Sequence, residues 1–70
     1  MTIKEFANQG FDINCNVKVF DCRNGKCWSE QDKPVFNGFA SPFEADVTVL
    51  DLQIGYITTD DKATIIIEGV

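Results

Sequence analysis

Three cysteines, Cys15, Cys22 and Cys27, are the side chains best suited to chemistry in this 70-residue chain. All three lie in "CNVKVFDCRNGKCW", together with the only tryptophan, Trp28. A structural zinc site takes four deprotonated ligands, usually as closely spaced cysteine pairs. Here the spacing is C-x6-C-x4-C and the chain has no histidine. A fourth ligand would have to be Asp12, Asp21 or a partner's residue. A catalytic thiol needs a base or cation beside it to lower its pKa. Histidine is absent, and Arg23 and Lys26 fall at an expected exposed turn. The reading is therefore no metal, no cofactor and no enzymatic activity. Cys22 and Cys27 would face each other across a hairpin, which leaves a disulfide or a redox-responsive pair as an alternative to two small apolar thiols.

The acids are the next candidates. Eleven Asp and Glu against six Lys and Arg give a formal charge of −5. The bases are scattered, without the basic, aromatic-interleaved patch of a nucleic-acid binder, so direct nucleic-acid binding is not expected. Asp60-Asp61 reads as turn chemistry and lacks the frame of a calcium loop. On a strand, Asp46 and Asp51 would point to opposite faces, so they do not form a phosphate-like row. Phe36, Phe39 and Phe43 crowd an irregular stretch stiffened by Pro34 and Pro42. They are either core plugs or an exposed anchor of the kind that carries most of the energy of an interface. As an anchor, they form the expected partner-binding set with Phe20 and a rim of Asp32, Glu44 and Asp46.

These residues must be positioned by short elements. Thr2-Ile-Lys-Glu5 is a capping box, and Ile3, Phe6 and Ala7 share one face of the helix it starts; Gly10 can end that helix. Residues 15–22 alternate, and Asn24-Gly25 is the strongest short-range hairpin signal. A two-residue loop there places Cys22 opposite Cys27, and Trp28 on the face of Val17 and Val19. Phe20 falls on the other, partly exposed face. Asn37-Gly38 allows a tight turn with Phe36 opposite Phe39. Residues 46–51 read as strand. A loop at Asp60-Asp61 sets Tyr56 opposite Ile65 and Ile54 opposite Ile67, with Gly55 marking a bulge. The expected fold is α+β: one domain over residues 1–70, with a short N-terminal helix packed on a four- or five-stranded antiparallel sheet built from hairpins.

A core this small is marginal, because burial is nearly offset by about 1.5 kcal/mol of lost entropy per ordered residue. A dimer, a disulfide or a bound partner would add support. No stretch has the apolar run of a signal peptide or membrane helix, so the expectation is a cytoplasmic protein without membrane contact.

The opening "MTIKEF", the "VKVFD" strand and the terminal "TIIIEGV" resemble small acidic accessory proteins of phages and mobile elements. The resemblance spans the first twenty residues and the last strand. It implies an inhibitor that occludes a surface of host machinery, CRISPR effectors included, and acts in the host cytoplasm. The expected function is thus a non-enzymatic protein-binding module whose partner is a larger host protein or nucleoprotein complex. The alternatives are a homo-oligomeric assembly protein, starting from a homodimer, or a cysteine-based redox module.

Overall fold

Thr2 opens the first helix as the capping box requires. Its hydroxyl accepts from the Glu5 amide at 3.1 Å, and the Glu5 carboxylate accepts from the Thr2 amide at 2.9 Å. In this computed structural model, which describes residues 1–8, 16–39, 46–60 and 62–70, the helix is α1 (Ile3–Ala7). Ile3 is fully buried, with Phe6 and Ala7 packed beside it. The strands are β1 (Asn16–Asp21), β2 (Phe36–Phe39), β3 (Ile54–Thr59) and β4 (Ile65–Gly69), and a second short helix, α2 (Val47–Leu50), precedes β3. Gly10 lies outside the described residues.

The α+β class holds, but the sheet is mixed. Its order is β2-β1-β4-β3. The β1–β2 and β3–β4 pairs are antiparallel, while the central pair β1–β4 is parallel, with Val17 beside Ile65 and Val19 beside Ile67. The chain leaves β2 at one edge, passes through α2 and enters β3 at the other edge, so β4 returns alongside β1 in the same direction. Central strands covered on both faces read as continuous apolar runs rather than alternations. That is why Ile65-Ile66-Ile67 is unbroken.

One face carries α1, α2 and the main core of Ile3, Val17, Val19, Val49, Leu52 and Ile67. The other face buries Phe20 and Ile66. Each such side chain contributes about 1.5–3 kcal/mol of burial.

The two-residue hairpin at Asn24-Gly25 does not form. The Cys22 carbonyl accepts from the Gly25 amide at 3.1 Å, which makes Cys22–Gly25 a four-residue turn. Among the described residues of this turn only Gly25 has positive φ, at 85°. The Asn24 side chain accepts from the Lys26 amide at 2.9 Å. An ordinary turn with glycine last needs no positive φ at Asn24. Beyond it the chain coils through a 3-10 turn at Trp28–Glu30, and β2 supplies the antiparallel partner of β1. Trp28 therefore lies over Phe20, with ring centroids 6.5 Å apart, and not with Val17 and Val19. Phe20, expected partly exposed, is buried beneath it.

Three further expectations are corrected. Asn37-Gly38 is not a turn, because Phe36–Phe39 is one strand paired along β1. Residues 47–50 are helix rather than strand, because Asp46 caps them through the Thr48 amide at 3.0 Å. The β3–β4 loop is longer than assumed. The Asp60 carboxylate accepts from the amides of Lys62 and Thr64, each at 2.9 Å, and Ala63 takes φ 60°. Tyr56 thus pairs with Glu68, Ile57 with Ile67 and Thr59 with Ile65. The expected bulge at Gly55 is present as a register shift between Ile54 and Tyr56.

Candidate functional site

A groove of about 260 Å³ opens where the end of β1, the entry to β2 and the start of α2 meet. Val49 and Leu52, both buried, form its floor; Val35, 46% exposed, forms a wall. Asp21, Arg23, Asp46 and Thr48 complete the lining. Next to it in the chain stands Val47, 64% exposed.

The polar residues of the groove are each held by a local bond. The Arg23 guanidinium grips the Asp21 carboxylate in a two-pronged pair, Nε to Oδ1 at 2.9 Å and Nη2 to Oδ2 at 2.7 Å. Such forks are stronger than single bonds and fix orientation. The Arg23 side-chain bonds, followed by its amide, hold Asp21 below the usual carboxylate pKa. The Thr48 amide and hydroxyl lower Asp46 in the same way. Both acids are therefore ionised at neutral pH. Arg23 and Asp21 neutralise each other, so the net negative charge beside the apolar floor is that of Asp46. That arrangement suits an apolar side chain next to a basic residue.

Of the thiols, Cys22 and Cys27 lie among the described residues, and both are free. The Cys27 Sγ donates to Glu30 Oε1 at 2.9 Å. Burial, reinforced by the neighbouring Glu68, pushes the Cys22 thiol up to about 11. A thiol titrating there is protonated at neutral pH and is a weak nucleophile. Among the described residues, no three His, Cys, Asp or Glu side chains gather as a metal site.

Within the expected aromatic patch, the pleat separates Phe36 from Phe20. Phe36 pairs with Val19 in β2 and is half-buried against the main core, while Phe20 is buried on the opposite face. Phe39 lies in β2 beside Asn16. Phe43, Glu44 and Cys15 lie outside the described residues. Asp32 is exposed after the 3-10 turn, and Asp46, alone among the described members of the expected set, lines the groove. As groove residues, Asp21, Arg23, Val35, Val49 and Leu52 escaped the sequence reading, which weighs Asp21 and Arg23 only beside the cysteines. Two local signals point to them: Asp21-x-Arg23, spaced for a carboxylate–guanidinium fork, and Asp46-x-Thr48, an N-cap with its amide partner.

No helix among the described residues is long and apolar enough to cross a membrane. No family model, curated protein or solved structure matches the chain.

Proposed function

We propose that this chain is a non-enzymatic protein-binding module that seats an apolar side chain of a larger, basic partner in the Val35–Val49–Leu52 groove. The observation that carries this reading is the pairing of an apolar floor with a rim whose net charge is the ionised Asp46 beside the Asp21–Arg23 pair. The net charge of −5 favours encounter with a basic surface. The partner is a host protein or nucleoprotein complex, and binding occludes its working surface, as in an inhibitor of a defence complex of the anti-CRISPR kind. Action in the host cytoplasm and a phage or mobile-element origin belong to the same proposal and rest on the resemblance of the terminal segments.

The test is a photo-crosslinking residue at position 47 in host lysate, followed by affinity measurement with the captured protein. Val35→Asp and Val47→Asp alter exposed side chains and should leave the melting temperature unchanged. Each should weaken binding by about 2 kcal/mol or more if the groove is the anchor. Wild-type affinity in both variants would remove the groove from the interface.

A further inference from the structure

The two edges of the sheet differ. Strand β2 is four residues long, whereas β3 runs for six, Ile54–Thr59, with no Lys, Arg, Asp, Glu or Pro. Natural proteins ordinarily guard an exposed edge with charge, proline, a bulge or a cover. Here the guards stop early. Met1–Ile3 covers the first residues, with the Ile54 amide donating to the Met1 carbonyl at 2.8 Å and the Ile3 amide to the Leu52 carbonyl at 3.0 Å. The bulge at Gly55 follows. From Tyr56 to Thr59 nothing among the described residues pairs with the outer edge. Tyr56 and Ile57 there are 54% and 43% exposed.

The direction of the backbone groups follows from the bonds at the strand end. The Asp60 amide donates to the Thr64 carbonyl at 3.0 Å, so Asp60 faces β4. Antiparallel residues alternate between facing the neighbour and facing away. Thr58 and Tyr56 then face β4, and Ile57 and Thr59 turn their N–H and C=O outward.

We infer that β3 pairs with β3 of a second copy, antiparallel across a two-fold axis at Thr58, joining two four-stranded sheets into one. In this register Ile57 of one copy exchanges both backbone bonds with Thr59 of the other, and the reverse, so every outward group of the uncovered segment is satisfied. Thr58 meets Thr58, the closer kind of cross-strand pair. The strip suits a second copy because it is complementary to itself: under the two-fold each outward N–H meets an outward C=O of the other copy. Two chains at −5 repel over most approaches, but this edge is uncharged. The register sets the Tyr56 phenol opposite Asp60 of the other copy, so no acid faces an acid. Isologous pairing of this kind is closed, which stops growth at two.

Sedimentation equilibrium of the full chain over 1–100 µM tests this. The expected species has twice the 7.8 kDa chain mass. Ile57→Lys should weaken association at least tenfold, and Thr59→Pro should do the same, because the amide it removes points outward and supports no bond within the fold. Ser29→Lys, in the 3-10 turn away from the edge, should leave association unchanged. Hydrogen exchange at the Thr59 amide should slow at high concentration in wild type and stay fast in Ile57→Lys. A monomer throughout the range overturns the inference. So does a dimer indifferent to both edge variants. Open-ended species would indicate β3 pairing with β2 of the next copy and would also overturn the two-fold arrangement. Circular dichroism of each variant separates lost pairing from lost folding.

Discussion

Gly69 is held by contact rather than by backbone freedom. A Cβ built there would lie 2.7 Å from Leu52 Cδ1 and 2.9 Å from Leu52 Cβ, inside any tolerable separation. Gly69→Ala must push Leu52 out of the floor shared by the core and the groove, at a cost of about 1–3 kcal/mol. Urea titration should show the lower midpoint with the slope unchanged. At Gly25 the reason is different: φ is 85° and nothing crowds the position, so Gly25→Val should cost about 1–2 kcal/mol through the backbone alone. A midpoint equal to wild type for either variant would contradict the corresponding geometry. The thiols should separate by rate. Cys27 is exposed and Cys22 half-buried with its pKa near 11. Iodoacetamide at pH 8 should label Cys27 well before Cys22, read by peptide mass. Equal rates would mean that the cover over Cys22 opens freely.

At the scale of elements, Asp60 decides which side of β3 is inside. Its carboxylate gathers the Lys62 and Thr64 amides and lengthens the loop, which shifts the pairing and exchanges Tyr56 for Ile57 on the core side. A shift of odd parity moves every side chain of a strand to the other face. Asp60→Ala should lower the melting temperature and broaden the amide spectrum of β3, because the alternative centre at residues 60–61 is then less disfavoured. A sharp spectrum with unchanged β3–β4 cross-strand contacts would show that the side chain does not set the register. The same element explains what sequence could and could not disclose. The capping box at Thr2 and the bulge at Gly55 were legible because each is a local rule between near neighbours. The Asn24-Gly25 hairpin was misread because Asn-Gly fits two kinds of turn, and the choice fell to the distant β2 and β4. Residues 47–50 read as strand from their valines, yet a single Asp46 cap and the burial of Val49 make them helix. Phe20 and Phe36 part for a similar reason: they lie near one another in the sheet but on opposite sides of it.

For the whole molecule, stability should depend on pH at both ends. Glu5, Asp21, Glu30, Asp46 and Asp60 all titrate below their ordinary values, each chiefly because hydrogen bonds favour the charged form. A depressed carboxyl pKa stabilises the fold above the unfolded value, and that contribution is lost as pH falls through the folded one. The acid limb should therefore begin near 4.5 for the glutamates and 3.8 for the aspartates. Cys22 acts in the opposite sense. Its raised pKa favours the fold below the ordinary 9.0 and loses that contribution as pH climbs towards 11. Chemical denaturation across pH 3–11 should give a plateau between these limbs, and Cys22→Ala should flatten the alkaline one. An alkaline limb unchanged in that variant would assign it to other groups.

The parallel join of β1 to β4 also sets the order of assembly. Strands β3 and β4 are joined by a short loop and can meet early, whereas Val17 must find Ile65 across most of the chain. Closing so long a loop costs entropy before any contact rewards it, and topologies rich in distant contacts fold slowly. The rate-limiting event should be the zipping of the two central strands. Val19→Ala and Ile67→Ala should then slow refolding in stopped-flow experiments, while Thr58→Ala, within the hairpin but away from the seam, should act mainly on the unfolding limb. Until that seam closes, two apolar inner strands stand open to water. The interval in which this acidic domain is most exposed to misassembly is therefore fixed by a single pairing at its centre.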